Sequence, residues 1–124
     1  MAVCCDEILA CAEDIVTNMQ GEAALRTAAG RAYYAAYHKA AVFYSGLKSP
    51  GRLPKKKKGM HRTLIHQLKN PTDASKAAES RLLGKLLEDI YAGRIQADYR
   101  LNDTVKENDV RVNIALSKRV LQTA

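Results

Sequence analysis

No stretch of this chain approaches the ~18–20 consecutive apolar residues that a membrane-spanning helix needs, so no membrane partner is expected. The opening Met-Ala-Val-Cys-Cys-Asp-Glu has neither a basic leader nor a long apolar core, so a secretory signal is not expected either. Cysteine is scarce: Cys4, Cys5 and Cys11 are odd in number and crowd onto one short segment. That arrangement argues against a disulfide framework and for a reducing cytoplasm. The cysteines read as packing residues. The three histidines are scattered, no zinc-ligand spacing forms, and neither a metal nor another cofactor is expected. Sustained alternation of Val, Ile and Thr is missing, which argues against a sheet. Also absent are a glycine-rich phosphate loop, a Ser–His–Asp set and a paired-carboxylate arrangement.

What is present is ordinary globular composition, with 47% hydrophobic and 27% charged residues in a chain of 124. That length suits one domain over 1–124 with one core. The formal net charge of +7 is concentrated rather than spread. Lys48, Arg52, Lys55, Lys56, Lys57, Lys58, Arg62 and Lys69 fall within residues 48–69, where no acid occurs, so the rest of the chain is nearly neutral. A segment of that kind asks for a polyanion, because each phosphate it neutralises releases counterions; an acidic protein partner or a merely solvated surface are the competing readings.

Periodicity near 3.6 dominates and predicts an all-α bundle of four main helices and one short one. The first helix is expected at about 3–19, with Ile8, Ala12, Ile15 and Met19 as its apolar stripe. The second, at about 22–46, carries Leu25, Ala29, Ala32, Ala36, Ala40, Phe43 and Leu47 and ends at Gly46. Its small side chains let neighbours approach closely, so it is expected at the centre. Residues 46–59 form a long basic loop, of the kind that is usually functional or mobile. A short helix at about 60–69 with Met60, Leu64 and Leu68 is broken by Asn70–Pro71. Thr72 or Asp73 caps the next helix, about 73–93, where Gly93 weakens or bends the chain before Arg94–Asp98. A last helix is expected at about 105–123.

On the second helix, Arg31, Tyr34 and His38 share one face. Arg31 and His38 stand about 10 Å apart along the axis and are too distant to touch, but both can converge on a phosphate between them. Tyr33, Tyr37 and Tyr44 run down the neighbouring stripe, where a core role with satisfied polar tips is the plainer reading.

Arg31-Ala-Tyr-Tyr-Ala-Ala-Tyr-His38 resembles the Arg-Ala-Tyr-Tyr-Ala-x-Phe/Tyr-His signature of small prokaryotic HEPN proteins (higher eukaryote and prokaryote nucleotide-binding domain). Arg94-Ile-Gln-Ala-Asp-Tyr99 is similar to that family's Arg-x-x-Ala-Asp-Tyr element, and His61 stands where members often place a histidine. The resemblance covers roughly residues 5–122. It implies an up-down bundle of four or five helices that usually dimerises. It also implies a possible partner in a small nucleotidyltransferase, as in toxin–antitoxin pairs, with RNA or a nucleotide as ligand.

One departure bears on catalysis. Active members of the family carry Arg followed after four to six residues by His, typically near the final helix. Here Arg111 and Arg119 have no His after them, Arg62 and His66 are separated by three residues, and only Arg31–His38 has the spacing, in the second helix. The favoured expectation is therefore a nucleotide- or RNA-binding module. Its binding residues would be Tyr34, His61, Arg62 and Lys55, Lys56, Lys57 and Lys58, with Arg94, Asp98 and Tyr99 as a structural motif. The alternative is a metal-independent endoribonuclease in which His38 takes the 2′-hydroxyl proton and Arg31 stabilises the phosphoryl oxygens, His61 and Arg62 being the second choice. A helical dimerisation or adaptor module without a polyanion ligand is the third reading.

Overall fold

The computed structural model describes residues 3–124. Five α-helices account for the fold: α1 Cys5–Asn18, α2 Glu22–Ser45, α3 Met60–Lys69, α4 Ala77–Tyr99 and α5 Glu107–Thr123, with a 3₁₀ turn at Ala74–Lys76 before α4. Among the described residues there is no strand. The all-α expectation holds as a bundle of five helices, none of which is long and apolar enough to cross a membrane.

The alanines of α2 set its place. Ala24, Ala28, Ala29, Ala32, Ala35, Ala36 and Ala40 are all buried, so three helices, α1, α4 and α5, can lie close against one long rod. Alanine also carries the strongest intrinsic helix preference, which suits a 24-residue helix whose two ends serve different parts of the core. One end packs Ala28 and Ala32 against Leu9, Val16, Val110 and Ile114. The other packs Ala36 and Ala40, with Tyr33, against Leu68, Leu83, Leu87 and Ile90 of α3 and α4.

Several expectations need correction. In α1 the buried stripe is Leu9, Ala12 and Val16; Ile8 and Ile15 flank it, and Met19 is exposed. Two of the three cysteines do not pack: Cys4 and Cys11 are exposed and only Cys5 is half-buried. Met60 is exposed, and Ile65 joins Leu64 and Leu68 beneath α3. Asp73 caps the 3₁₀ turn as expected, accepting from the Ser75 backbone N–H at 3.0 Å. The fourth helix, however, does not stop at Gly93 but runs on to Tyr99. α5 crosses close by at this point, where a Cβ at 93 would meet the Asn113 side-chain amide. The far end of α4 is held by Arg26 of α2, which donates to the carbonyls of Gln96, Ala97 and Arg100 at 3.1, 2.9 and 3.2 Å and satisfies groups that a helix end leaves open. Arg94–Asp98 therefore lies inside a helix rather than in a turn.

The 46–59 connection is fixed at its beginning. Asp73 accepts from the Lys48 N–H at 2.9 Å, the Gly51 N–H donates to the Tyr44 hydroxyl at 3.1 Å, and the Arg52 N–H donates to the Asn70 carbonyl at 2.9 Å. Beyond that, Lys55, Lys56, Lys57 and Lys58 are exposed.

Candidate functional site

A cleft of about 510 Å³ opens where α2, α3 and α4 meet. Arg31, Tyr34 and His38 form one wall, one helical turn apart on α2; His61, in the first turn of α3, and Arg94 and Asp98 of α4 complete it. The two segments that resemble the HEPN elements, 63 positions apart from Arg31 to Arg94, thus face each other across one recess.

Tyr34 occupies the space between Arg31 and His38. The Arg31 guanidinium lies 4.9 Å from the Tyr34 ring centre, and the Tyr34 and His38 rings are 4.2 Å apart. The result is a ladder of cation, phenol and half-buried imidazole along one face, with the aromatic ring packed against both polar tips. Arg31 has no carboxylate partner among the described residues. Arg94 does: its Nε donates to Asp98 at 2.9 Å, its Nη2 to the Tyr99 hydroxyl at 3.3 Å, and its guanidinium lies over both the Tyr33 and Tyr99 rings. Arg94 is thereby held in place and largely neutralised, leaving Arg31 as the permanent cation available to an anion.

The floor is aromatic. Tyr33 is 3% exposed and touches Tyr37, His61 and Tyr91, with ring centres 5.9, 5.5 and 5.4 Å away. Its hydroxyl lies 2.7 Å from Nδ1 of His61. Burial, reinforced by Tyr37 and Tyr91, pushes the Tyr33 phenol well above its ordinary value, so it stays protonated. Burial, then the charges of Arg94 and His38, pull His61 below the usual imidazole value. A buried O–H needs an acceptor, and Nδ1 is the one it has, so we assign Tyr33 as donor. His61 is then neutral, with its proton on Nε2 as the ring's remaining donor.

A larger open groove, about 940 Å³, lies between α3 and α4. Lys58, Arg62, His66, Lys69 and Arg100 border it, with Glu88 and Asp103 as its acids. Tyr91 lines the groove, and its ring stacks on His61 of the cleft at 5.8 Å and 23°.

Of the residues singled out from sequence, Arg31, Tyr34, His38, His61, Arg94 and Asp98 come together in the cleft. Tyr99 lies beside Arg94 at its edge. Arg62 and Lys58 belong to the groove, while Lys55, Lys56 and Lys57 line neither recess. Sequence reasoning missed Tyr33 as the residue that fixes His61, because that pairing joins positions 28 apart. Its signal was the i, i+4 pair of Tyr33 and Tyr37 beside the polar stripe. Arg26, which holds the end of α4 in place, left no local signal. Among the described residues, no three His, Cys, Asp or Glu side chains gather as metal ligands would. Compared with known proteins, the chain matches no family model, no curated protein and no solved structure.

Proposed function

We propose that this chain is a HEPN-like nucleotide- or RNA-binding module that holds a phosphate in the α2–α3–α4 cleft and works, as a homodimer, with a separate nucleotidyltransferase-like partner of the toxin–antitoxin type. The observation that carries the ligand reading is the convergence of Arg31, Tyr34, His38 and His61 with Arg94 and Asp98 in one recess. An unpaired guanidinium and a neutral imidazole presenting Nε2–H are both donors, which suits phosphate oxygens. Tyr34, 40% exposed, offers a face on which a base can stack. The partner and the dimer rest on the family resemblance alone.

A second reading, metal-independent endoribonuclease, draws on His38 and Arg31 flanking the same recess. Cleavage by the neighbouring 2′-hydroxyl needs a base to take its proton and an acid to protonate the departing 5′-oxygen. His38 suits the first task. His61, kept neutral and already accepting from Tyr33, is a poor proton source for the second, which favours binding over cleavage.

Purified protein incubated with mixed tRNA and mRNA in EDTA separates the readings. Binding predicts intact RNA whose gel shift weakens with salt and in Arg31→Ala. Cleavage that persists in EDTA and disappears in folded His38→Ala would establish the ribonuclease. Neither shift nor cleavage would leave the adaptor reading. On the toxin–antitoxin side, growth arrest on expression alone, relieved by co-expression of the cognate nucleotidyltransferase, is expected; absence of arrest would count against a toxin.

A further inference from the structure

We propose that the groove between α3 and α4 is a track for the backbone of a single-stranded polynucleotide, so that the ligand of the cleft is one nucleotide of a longer strand rather than a free mononucleotide. This rests on the reading of the cleft as a phosphate site.

Three observations carry it. The first is the pattern of charge. Arg62, His66 and Lys69 follow at four- and three-residue steps on α3, with Lys58 just before its start, so the bordering face of α3 is basic along its length. Among the described residues Lys58, Arg62 and Arg100 have no carboxylate partner; Lys69 is paired with Glu88 at 2.9 Å. The groove therefore keeps unneutralised cations even though Glu88 and Asp103 lie in it. The second is span. From Arg62 to Lys69 is seven residues, about 10 Å of helix axis. Arg62, His66 and Lys69 stand about 6 and 4.5 Å apart along that axis, so they are spread along a strand rather than gathered on one phosphate. The third is continuity. Tyr91 is a wall of the groove and stacks on His61 of the cleft, so a strand lying along α3 passes directly beside the second recess. An acidic polypeptide would also find cations here, but it lacks the bases that Tyr34 can stack.

The test uses the full chain, a fluorescein-labelled 12-nucleotide oligouridylate, and uridine monophosphate, with anisotropy and competition read across a salt series. The groove variant combines Arg62→Ala, Lys69→Ala and Arg100→Ala, all at exposed positions; circular dichroism and thermal unfolding establish that it is folded. The proposal predicts that the parent binds the 12-mer at least tenfold tighter than the monophosphate. It predicts that the groove variant loses that advantage, with a log–log salt slope shallower by about 0.7 for each phosphate contact removed, about 2 in all. Binding of the monophosphate is unchanged in that variant and is weakened by Arg31→Ala. A groove variant that binds the 12-mer with the parent's affinity and slope overturns the proposal while leaving the cleft intact. Displacement of the 12-mer by polyglutamate at equal charge overturns it in favour of an acidic protein. A parent that binds neither probe overturns the cleft reading and this proposal together.

Discussion

The two recesses bordered by α3 and α4 are built from opposite materials. The cleft stands on buried aromatic rings and internal hydrogen bonds: Tyr33 is locked to His61, Arg94 to Asp98, and Tyr34 sits between Arg31 and His38. The groove is edged by long side chains of surface residues, mostly unpaired and anchored by little beyond their stems. In the first, polar groups are oriented before any ligand arrives, and the groups that orient them also hold the core. In the second, the proposed binding of a strand would draw on charge alone. The contrast implies that substitutions in the cleft cost stability and recognition together, while those in the groove change salt-dependent affinity and little else.

The sharpest way to break that contrast is Tyr33→Ala, which removes a fully buried ring and leaves His61 unsupported. About 3–5 kcal/mol of stability should be lost in urea unfolding, as for other buried aromatic truncations. Gly84→Ala comes next and acts on both recesses. A Cβ there would stand 2.9 Å from the Lys69 backbone nitrogen and 3.1 Å from the Leu68 Cβ, so α3 must move off α4. A loss of about 1–3 kcal/mol is expected, together with weaker binding of the 12-mer. Tyr33→Phe is milder: it keeps the ring and deletes one hydrogen bond, at about 1 kcal/mol.

The pH dependence sharpens the same comparison. His61 binds a proton less readily folded than unfolded, because burial and the charges of Arg94 and His38 oppose its ionisation. Between its ordinary value near 6.5 and the lower folded value, the unfolded chain therefore holds more protons. His61 contributes no penalty above about pH 6.5, and stability falls as the pH drops through that window. Urea unfolding at stepped pH should show this slope in the parent and a flatter one in His61→Gln. Glu22, whose carboxylate accepts the Val105 N–H and pairs with Arg26, and Asp73, bonded to Ser75 and to the Lys48 N–H, are held below their usual values and lose their contribution separately, in the carboxylate range. The smallest effect belongs to the groove: Arg62→Ala should shift stability by no more than about 0.5 kcal/mol while lowering the salt slope of binding.

Much of the architecture was legible because the physics that sets it is local. Small residues at three- and four-residue steps mark α2 and its central place, Gly46 ends it, and Asp73 caps the next turn. Local reasoning failed where a distant residue decides. Gly93 looks like a stop until Asn113 of α5 is seen against it, and the last turns of α4 are held by Arg26, some 70 residues earlier in the chain. The stripe of α1 is not legible from spacing because Ile8 and Ile15 are as apolar as Leu9 and Val16, and only the neighbouring helices select between them. For the cleft, the spacing of Arg31, Tyr34 and His38 places them on one face without further help. Their meeting with His61 and Arg94 does not follow from spacing, since it depends on how three helices cross. The spacing puts Tyr33 in the core, where it is buried, and there it also fixes the imidazole of His61.

The central claim is that the cleft receives a phosphate on groups oriented in advance. Imidazole NMR of ¹⁵N-labelled protein titrated with uridine monophosphate tests it most directly. The account predicts saturable shifts of the His38 and His61 ring resonances, with His61 carrying its proton on Nε2 before and after addition, and loss of those shifts in Arg31→Ala. Imidazole resonances that stay in place at millimolar nucleotide, or a free His61 with its proton on Nδ1, would contradict it.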